Sequence, residues 1–271
     1  MPPEPARELE VLFRIGQAVQ RVVRDARSSP HRGDVVGMGA DGSPTEELDR
    51  LAEGRILAAL AEEGVGWNVV SEEAGRVDRG GDRTLVVDPI DGSHNVLRDL
   101  PYATVSLALG DGTLDGIDVG VVRELYSGTT YWAARGRGAY RDGRPIRVRA
   151  WEPRSELFFV NLGRHATPRA LALAERGRRI RSLGCASLEM LMVATGAADA
   201  YLFENDTPNR NLRVTDIAAA YRIVLEAGGR VGDAEFGPLG AFPLALGRHS
   251  SVCAWGDDAF ARSTSAGGAR P

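Results

Sequence analysis

Two short hydrophobic runs end abruptly in acid. Val69-Val70 leads into Ser71-Glu72-Glu73, and Leu85-Val86-Val87 leads into Asp88-Pro89-Ile90-Asp91-Gly92-Ser93. If the two runs are neighbouring strands, the carboxylates of Glu72, Glu73, Asp88 and Asp91 meet at one sheet edge. Like charges at that spacing repel strongly where the effective dielectric is low, so a fold keeps them together only with a compensating cation or with raised pKa values. A ligand set made only of oxygen selects Mg²⁺, Mn²⁺ or Ca²⁺. The pattern is a metal centre built to hold something anionic.

Asp-Pro-x-Asp-Gly-Ser/Thr arises by chance in roughly one chain in a few thousand at average residue frequencies. Its proline fixes a turn, its glycine admits close approach of backbone to a ligand, and the Asp-x-x-Asp spacing turns both carboxylates to one side. A fifth acid, Asp216, lies at the opening of the periodic stretch Thr215 to Ala227, where a carboxylate is favoured by the helix dipole. Taken alone, an aspartate there is a cap; with the other acids beside it, it is a ligand. The amides of Gly92, Ser93 and His94 precede a short helix expected over Asn95 to Asp99, and free N–H groups at such a start cradle a phosphate.

The Asp88–Ser93 motif resembles that of the inositol monophosphatase family, which includes archaeal-type fructose-1,6-bisphosphatases and 3′-phosphoadenosine-5′-phosphate phosphatases. Three further segments are similar in order: Ser71-Glu72-Glu73, Thr215-Asp216-Ile217-Ala218-Ala219-Ala220 with Glu226-Ala227-Gly228-Gly229, and Gly39-Ala40-Asp41-Gly42-Ser43-Pro44-Thr45 leading to Asp49. The resemblance spans roughly residues 9–230 and is greatest to the archaeal inositol-1-monophosphatase/fructose-1,6-bisphosphatase branch. It implies that Glu72, Asp88 and the carbonyl of Ile90 hold a first Mg²⁺, that Asp88, Asp91 and Asp216 hold a second, and that Glu72 with Glu73 share a weaker third. Mn²⁺ is a possible substitute.

In the same way Asp49 with Ser93 is implied to polarise the attacking water, which together with Glu72 makes the catalytic set. Gly92, Ser93, His94, Arg181, the amide of Ala186, Glu204 and Arg213 are the implied substrate contacts. Ser93 stands where threonine is commoner, keeping the hydroxyl with a looser rotamer. No lysine precedes Asp49, and Thr215 replaces the tryptophan of the animal enzymes. The function implied is Mg²⁺-dependent hydrolysis of sugar or inositol phosphates, fructose 1,6-bisphosphate and inositol 1-phosphate first. A nucleotide-type phosphatase acting on 3′-phosphoadenosine 5′-phosphate or NADP, or a non-catalytic metal-dependent binding protein, are the alternatives, and a homodimer is implied by analogy.

The elements that must position these residues are legible in outline. Leu9, Leu12, Phe13, Val19, Val22 and Val23 recur at helical spacing between Pro5 and Arg27, and Leu48, Leu51, Ala52, Ile56, Ala59 and Leu60 make a second apolar stripe that Asp49 adjoins. Short β-branched runs follow to Val148, with Asp111-Gly112 and Asp142-Gly143 as hairpin turns. From about residue 151 strands and helices alternate, closing with a helix that stops at Gly228-Gly229 and a frayed tail after Ala261. These patterns make an α+β N-terminal half over 1–150 that carries the metal site and an α/β C-terminal half over 151–271 that selects substrate, and the resemblance implies that they form a layered αβαβα sandwich of the sugar-phosphatase type.

With 33 basic against 37 acidic residues the charge nearly cancels, which argues against a nucleic-acid scaffold. Every basic residue is arginine. Cys185 and Cys253 are too few and too distant for a disulfide framework or zinc site. The N-terminus lacks signal-peptide character and no run approaches the ~20 apolar residues of a membrane span. A cytoplasmic protein without a nucleic-acid or membrane partner is expected.

Overall fold

A computed structural model describes residues 7–40, 42 and 44–265. The helices are α1 (Arg7–Ala26), α2 (Glu47–Glu62), α3 (Ser93–Leu97), α4 (Pro168–Arg176), α5 (Ala186–Ala194), α6 (Val214–Glu226) and α7 (Asp258–Ser265). The strands are β1 (Val35–Met38), β2 (Pro44–Glu46), β3 (Asn68–Ser71), β4 (Gly75–Val77), β5 (Thr84–Asp91), β6 (Thr104–Gly110), β7 (Ile117–Glu124), β8 (Thr130–Ala134), β9 (Ala139–Arg141), β10 (Arg144–Ile146), β11 (Phe158–Val160), β12 (Ile180–Arg181), β13 (Ala200–Phe203), β14 (Arg230–Gly232) and β15 (Val252–Trp255).

Apolar periodicity decides the outer helical layer. In α1 the buried Leu9, Leu12, Ile15, Val19 and Val23 form one stripe, with Glu8 and Glu10 in the first turn and Arg24 in the last complementing the dipole. That stripe packs with Leu48, Ala52, Ile56 and Leu60 of α2 against one face of an eight-stranded sheet, ordered β10-β9-β8-β7-β6-β5-β3-β4. The opposite face is covered by α5 and α6, which in turn pack against a five-stranded sheet, ordered β12-β11-β13-β15-β14. Outside this second sheet lie α4 and α7. The layers run αβαβα, as the sequence predicts.

The middle layer joins the two halves. One apolar core takes Val70, Val86 and Ala108 from the first sheet and Met190, Ile217 and Ile223 from α5 and α6. At Gly120 on β7 an added Cβ would lie 2.6 Å from the carbonyl oxygen of Ala219, so only glycine lets α6 approach that closely.

The sheet is antiparallel except at one pair. β3 and β5 run parallel, with Ser71 opposite Val87, so their acidic C-terminal ends emerge side by side. Adjacent strands alone would not suffice; their shared direction brings Glu72 beside Asp88. At the end of β5 the register against β6 shifts between Asp88 and Asp91, and the Ile90 N–H turns back to donate to Asp88 Oδ1 at 3.0 Å.

Several sequence expectations are corrected. The tail after Ala261 is not frayed: α7 continues to Ser265, anchored by fully buried Phe260, and residues 266–271 lie outside those described. The short helix begins at Ser93, two residues before the expected Asn95. Strand β12 ends at Arg181 because the amides of Leu183 and Gly184 are taken by the Glu189 carboxylate. The Asp142-Gly143 hairpin, by contrast, is found where the sequence places it, with φ of 47° and 74°, the left-handed pair that a tight turn between β9 and β10 requires.

Candidate active site

Glu72, Asp88 and Asp216 each present a carboxylate oxygen, and the three lie within 4.8 Å of one another. They come from three elements: the turn after β3, the end of β5 and the first turn of α6. Asp216 accepts the Arg213 backbone N–H at 2.8 Å through Oδ2, half of a capping arrangement, while its other oxygen turns to the Thr215 hydroxyl at 3.2 Å. Asp216 thus caps the start of α6 with one oxygen and belongs at the same time to the trio of converging carboxylates.

Electrostatics at this cluster are adverse without a cation. Burial raises the Asp88 carboxyl well above the usual carboxylate range, and Glu72, Asp91, Asp216 and Asp49 add repulsion. Burial likewise pushes Asp216 up to about 6, against the pull of the Arg213 N–H. These acids fit a divalent ion: the donors are all oxygen, they converge on one volume, and an ion there relieves a repulsion the fold otherwise carries.

Asp91 is placed differently. Its Oδ2 accepts the Ser187 N–H at 2.7 Å, the Ser187 hydroxyl at 2.6 Å and the Cys185 thiol at 3.3 Å, whereas Oδ1 accepts only the Ala186 N–H at 3.1 Å. Because Ser187 gives its proton to Asp91, the buried Thr104 hydroxyl donates to Ser187 Oγ at 2.6 Å. Burial still raises Asp91, with the Ser187 bonds working against it. One oxygen is saturated by the start of α5, and the other accepts one N–H and keeps a lone pair, while Asp91 stands outside the trio of converging carboxylates. The Ala186 amide, expected to face substrate, is engaged here with Asp91 because α5 begins at Ala186 with its first N–H groups directed at that carboxylate. Ser187 and Thr104, the buried hydroxyls behind Asp91, were missed by sequence reasoning; a serine in the first turn of a helix is the one signal that pointed to them.

Asp49 is buried on α2, and burial pushes its carboxyl up to about 8, with repulsion from Glu73, Glu46 and Glu53 adding to the effect. Glu73 is drawn toward the β1–β2 hairpin instead of the cluster: the Thr45 hydroxyl donates to its carboxylate, and its carbonyl accepts the Ala40 N–H at 2.9 Å. Asp41 and Ser43 of the same loop lie outside the described residues.

Gly92 closes the motif at φ 89°, and an added Cβ would meet the Tyr102 carbonyl oxygen at 2.7 Å. Asn95 locks this turn to the second half, donating to Tyr102 O and Leu183 O at 2.8 Å each. Ser93 and exposed His94 start α3. Gly92→Ala is expected to cost about 2 kcal/mol or more, from positive φ and the clash together. Urea denaturation measures it, and a loss below about 0.5 kcal/mol would contradict the strain argument.

The remaining expected substrate contacts are not drawn into the cluster, Arg213 excepted. Arg181 is exposed on edge strand β12 and donates to the Ile180 carbonyl at 2.8 Å. Glu204 accepts the Thr167 hydroxyl and lies 3.5 Å from Arg169. Arg213 does reach the site, with Nη1 3.6 Å from Glu72 Oε2.

Stability of the ion-free chain should fall as pH rises. Asp49, Asp216 and Glu189 have folded values of about 8, 6 and 7, all above the 3.8 to 4.5 of the same groups when unperturbed. Within that window the folded chain binds more protons than the unfolded one, so stability drops with pH; below the window nothing is lost, and above it the loss is complete. The melting temperature in chelator should therefore decrease from pH 5 to pH 8.5, with saturating Mg²⁺ removing most of the decrease. A chelated melting temperature that is flat over this range would contradict the reading.

A five-layer sandwich with carboxylates gathered at the end of the one parallel strand pair in its eight-stranded sheet defines a sugar-phosphatase-type fold with an acidic cluster suited to a metal. The chain belongs to the inositol monophosphatase family, whose model matches residues 5–263. A fructose-1,6-bisphosphatase/inositol-1-monophosphatase of Methanothermobacter thermautotrophicus is 33% identical over 260 residues, covering 90% of each chain. A bifunctional NADP phosphatase/NAD kinase of Methanococcus maripaludis is 33% identical over 249 residues, covering 83% of this chain and 43% of that one. Among solved structures, an inositol monophosphatase–fructose 1,6-bisphosphatase superposes with a TM-score of 0.80 at 27% identity, over 94% of this chain and 97% of the other.

Proposed function

We propose that this chain is a Mg²⁺-dependent phosphomonoesterase acting on sugar or inositol phosphates, with fructose 1,6-bisphosphate and inositol 1-phosphate as substrates. The observation that carries the reading is the convergence of Glu72, Asp88 and Asp216 within 4.8 Å at the end of β5, directly before the turn at Gly92 and Ser93. Family membership and the archaeal relatives support the reaction class and the substrates.

In this reading Glu72, Asp88, Asp91 through Oδ1, Asp216 and the Ile90 carbonyl hold the ions, with Glu73 at the margin. The ions, two or three in number, supply charge neutralisation and activation of water for in-line displacement at phosphorus. The chain supplies the rest. Asp49, whose burial and acidic neighbours raise its proton affinity, accepts a proton from the attacking water on its carboxylate, and the Ser93 hydroxyl orients that water. The first amides of α3, left without helical acceptors by the geometry of a helix start, receive phosphate oxygens. No covalent phosphoenzyme is required.

Phosphate release across sugar, inositol and nucleotide phosphates, with and without Mg²⁺, tests the proposal. Release from inositol 1-phosphate or fructose 1,6-bisphosphate only with Mg²⁺ is expected, and no release from any substrate contradicts it. Preference for NADP would favour the second reading, which the similarity to the bifunctional NADP phosphatase/NAD kinase supports. The working state we propose is a cytoplasmic homodimer, measurable by light scattering. No helix among the described residues is long and apolar enough to cross a membrane.

A further inference from the structure

Arg213 meets the acidic cluster twice. Its backbone N–H donates to Asp216 Oδ2 at 2.8 Å, and its guanidinium Nη1 lies 3.6 Å from Glu72 Oε2. The two side chains are largely enclosed, at 23% and 19% exposure. Glu72 is also one of the three carboxylates that converge on a common point, so a cation belonging to the chain sits against the same group that an incoming ion needs.

A guanidinium cannot shed its charge. A divalent ion entering among Glu72, Asp88 and Asp216 repels it, and at this separation in a partly enclosed site the repulsion is substantial. The arginine must then find another anion, and its planar fork matches two oxygens of a phosphate.

We propose that Arg213 is an ion-displaced counter-charge: it neutralises Glu72 in the ion-free chain and passes to an anionic oxygen of the phosphorylated substrate when a divalent ion takes Glu72. The inference rests on the phosphatase reading of this site. It makes binding of ion and anion mutually dependent through one side chain. Arg213 opposes the ion when the ion binds alone and favours the anion only once the ion is present, and linkage requires each effect to appear in the other ligand's affinity. Replacing its side chain leaves the N–H that holds Asp216 intact, so the start of α6 is preserved.

The test is Mn²⁺ binding followed by electron paramagnetic resonance on the chelator-stripped full chain, with and without inorganic phosphate, for wild type, Arg213→Met and Arg213→Lys. The Met variant should bind Mn²⁺ alone about fivefold to tenfold tighter than wild type, and the gain in Mn²⁺ affinity brought by phosphate should shrink by a similar factor. The Lys variant keeps the charge without the fork. It should bind Mn²⁺ alone as wild type does and show a reduced phosphate gain, which keeps the test decisive if the Met variant fails to fold. A purely structural arginine would lower the melting temperature of both variants and leave Mn²⁺ affinity and its phosphate gain unchanged; that result overturns the proposal. Wild type that binds no Mn²⁺ in either condition removes the metal reading itself, and this inference with it.

Discussion

Asp88→Asn is expected to abolish turnover and, at pH 8 in chelator, to raise the melting temperature. Asp88 is crowded by other acids: it is buried, its Oδ1 is held by the Ile90 N–H, and Glu72, Asp91, Asp216 and Asp49 all repel its charge. Asparagine keeps the shape and an acceptor for that N–H while deleting the charge. A charge placed to hold catalytic ions supports several kcal/mol of transition-state stabilisation, so kcat should fall about a thousandfold or more. The same deletion relieves repulsion in the ion-free chain, and each 1 kcal/mol recovered corresponds to about 2–4 °C in a domain of this size. Steady-state kinetics and differential scanning calorimetry check the two halves. A variant that loses activity and also melts lower in chelator would show Asp88 to be a structural acid.

Asp49→Asn is the second large effect. Asp49 adjoins the apolar stripe of α2, where a carboxylate is costly to bury, and its proton affinity is raised by that burial and by Glu73. Removal of a positioned general base costs about 10²- to 10⁴-fold, and the loss should fall on kcat with KM changed little. A rise in KM at constant kcat would move Asp49 from proton transfer to binding. The Asn variant should also lose part of the pH-dependent instability of the ion-free chain, since it no longer has a proton to give up between about pH 4 and 8.

The acidic cluster was legible because most of its signal is local in sequence. Val-Val and Leu-Val-Val each run straight into acid, and strands that end in charge advertise where a sheet edge meets solvent or an ion. What sequence could not give was direction. Only the parallel pairing of β3 with β5 puts Glu72 next to Asp88, and an antiparallel pairing of the same two runs would have sent their acids to opposite ends. The helices α1, α2 and α6 followed from periodicity, their apolar stripes being long enough to read, whereas the order of the layers came with the family resemblance.

Other features were hidden for physical reasons. β14 and β15 were not anticipated: Val252-Cys253-Ala254-Trp255 is buried on both faces, so it lacks the alternation that marks a half-exposed strand. The β1–β2 hairpin is exposed along Val35–Met38 and owes its position to pairing with Pro44–Glu46 and to Thr45 on Glu73, none of it a periodic signal. Asp91 was read as a ligand from its motif spacing and the family resemblance, and neither says anything of the four donors from Cys185, Ala186 and Ser187 that arrive from nearly a hundred residues away. Arg181 and Glu204 were placed by analogy with a strand and a loop, and the structure gives each a local partner outside the cluster.

The central claim is that these acids share one volume and tolerate it by holding protons until a divalent ion replaces them. Calorimetric titration of Mg²⁺ into chelator-stripped protein, in buffers of different ionisation enthalpy at pH 6 and pH 8.5, counts the protons released per ion bound. The account predicts saturable binding with about one proton or more released at pH 6 and clearly fewer at pH 8.5. Binding that releases no protons at either pH, or no saturable binding at all, would contradict it.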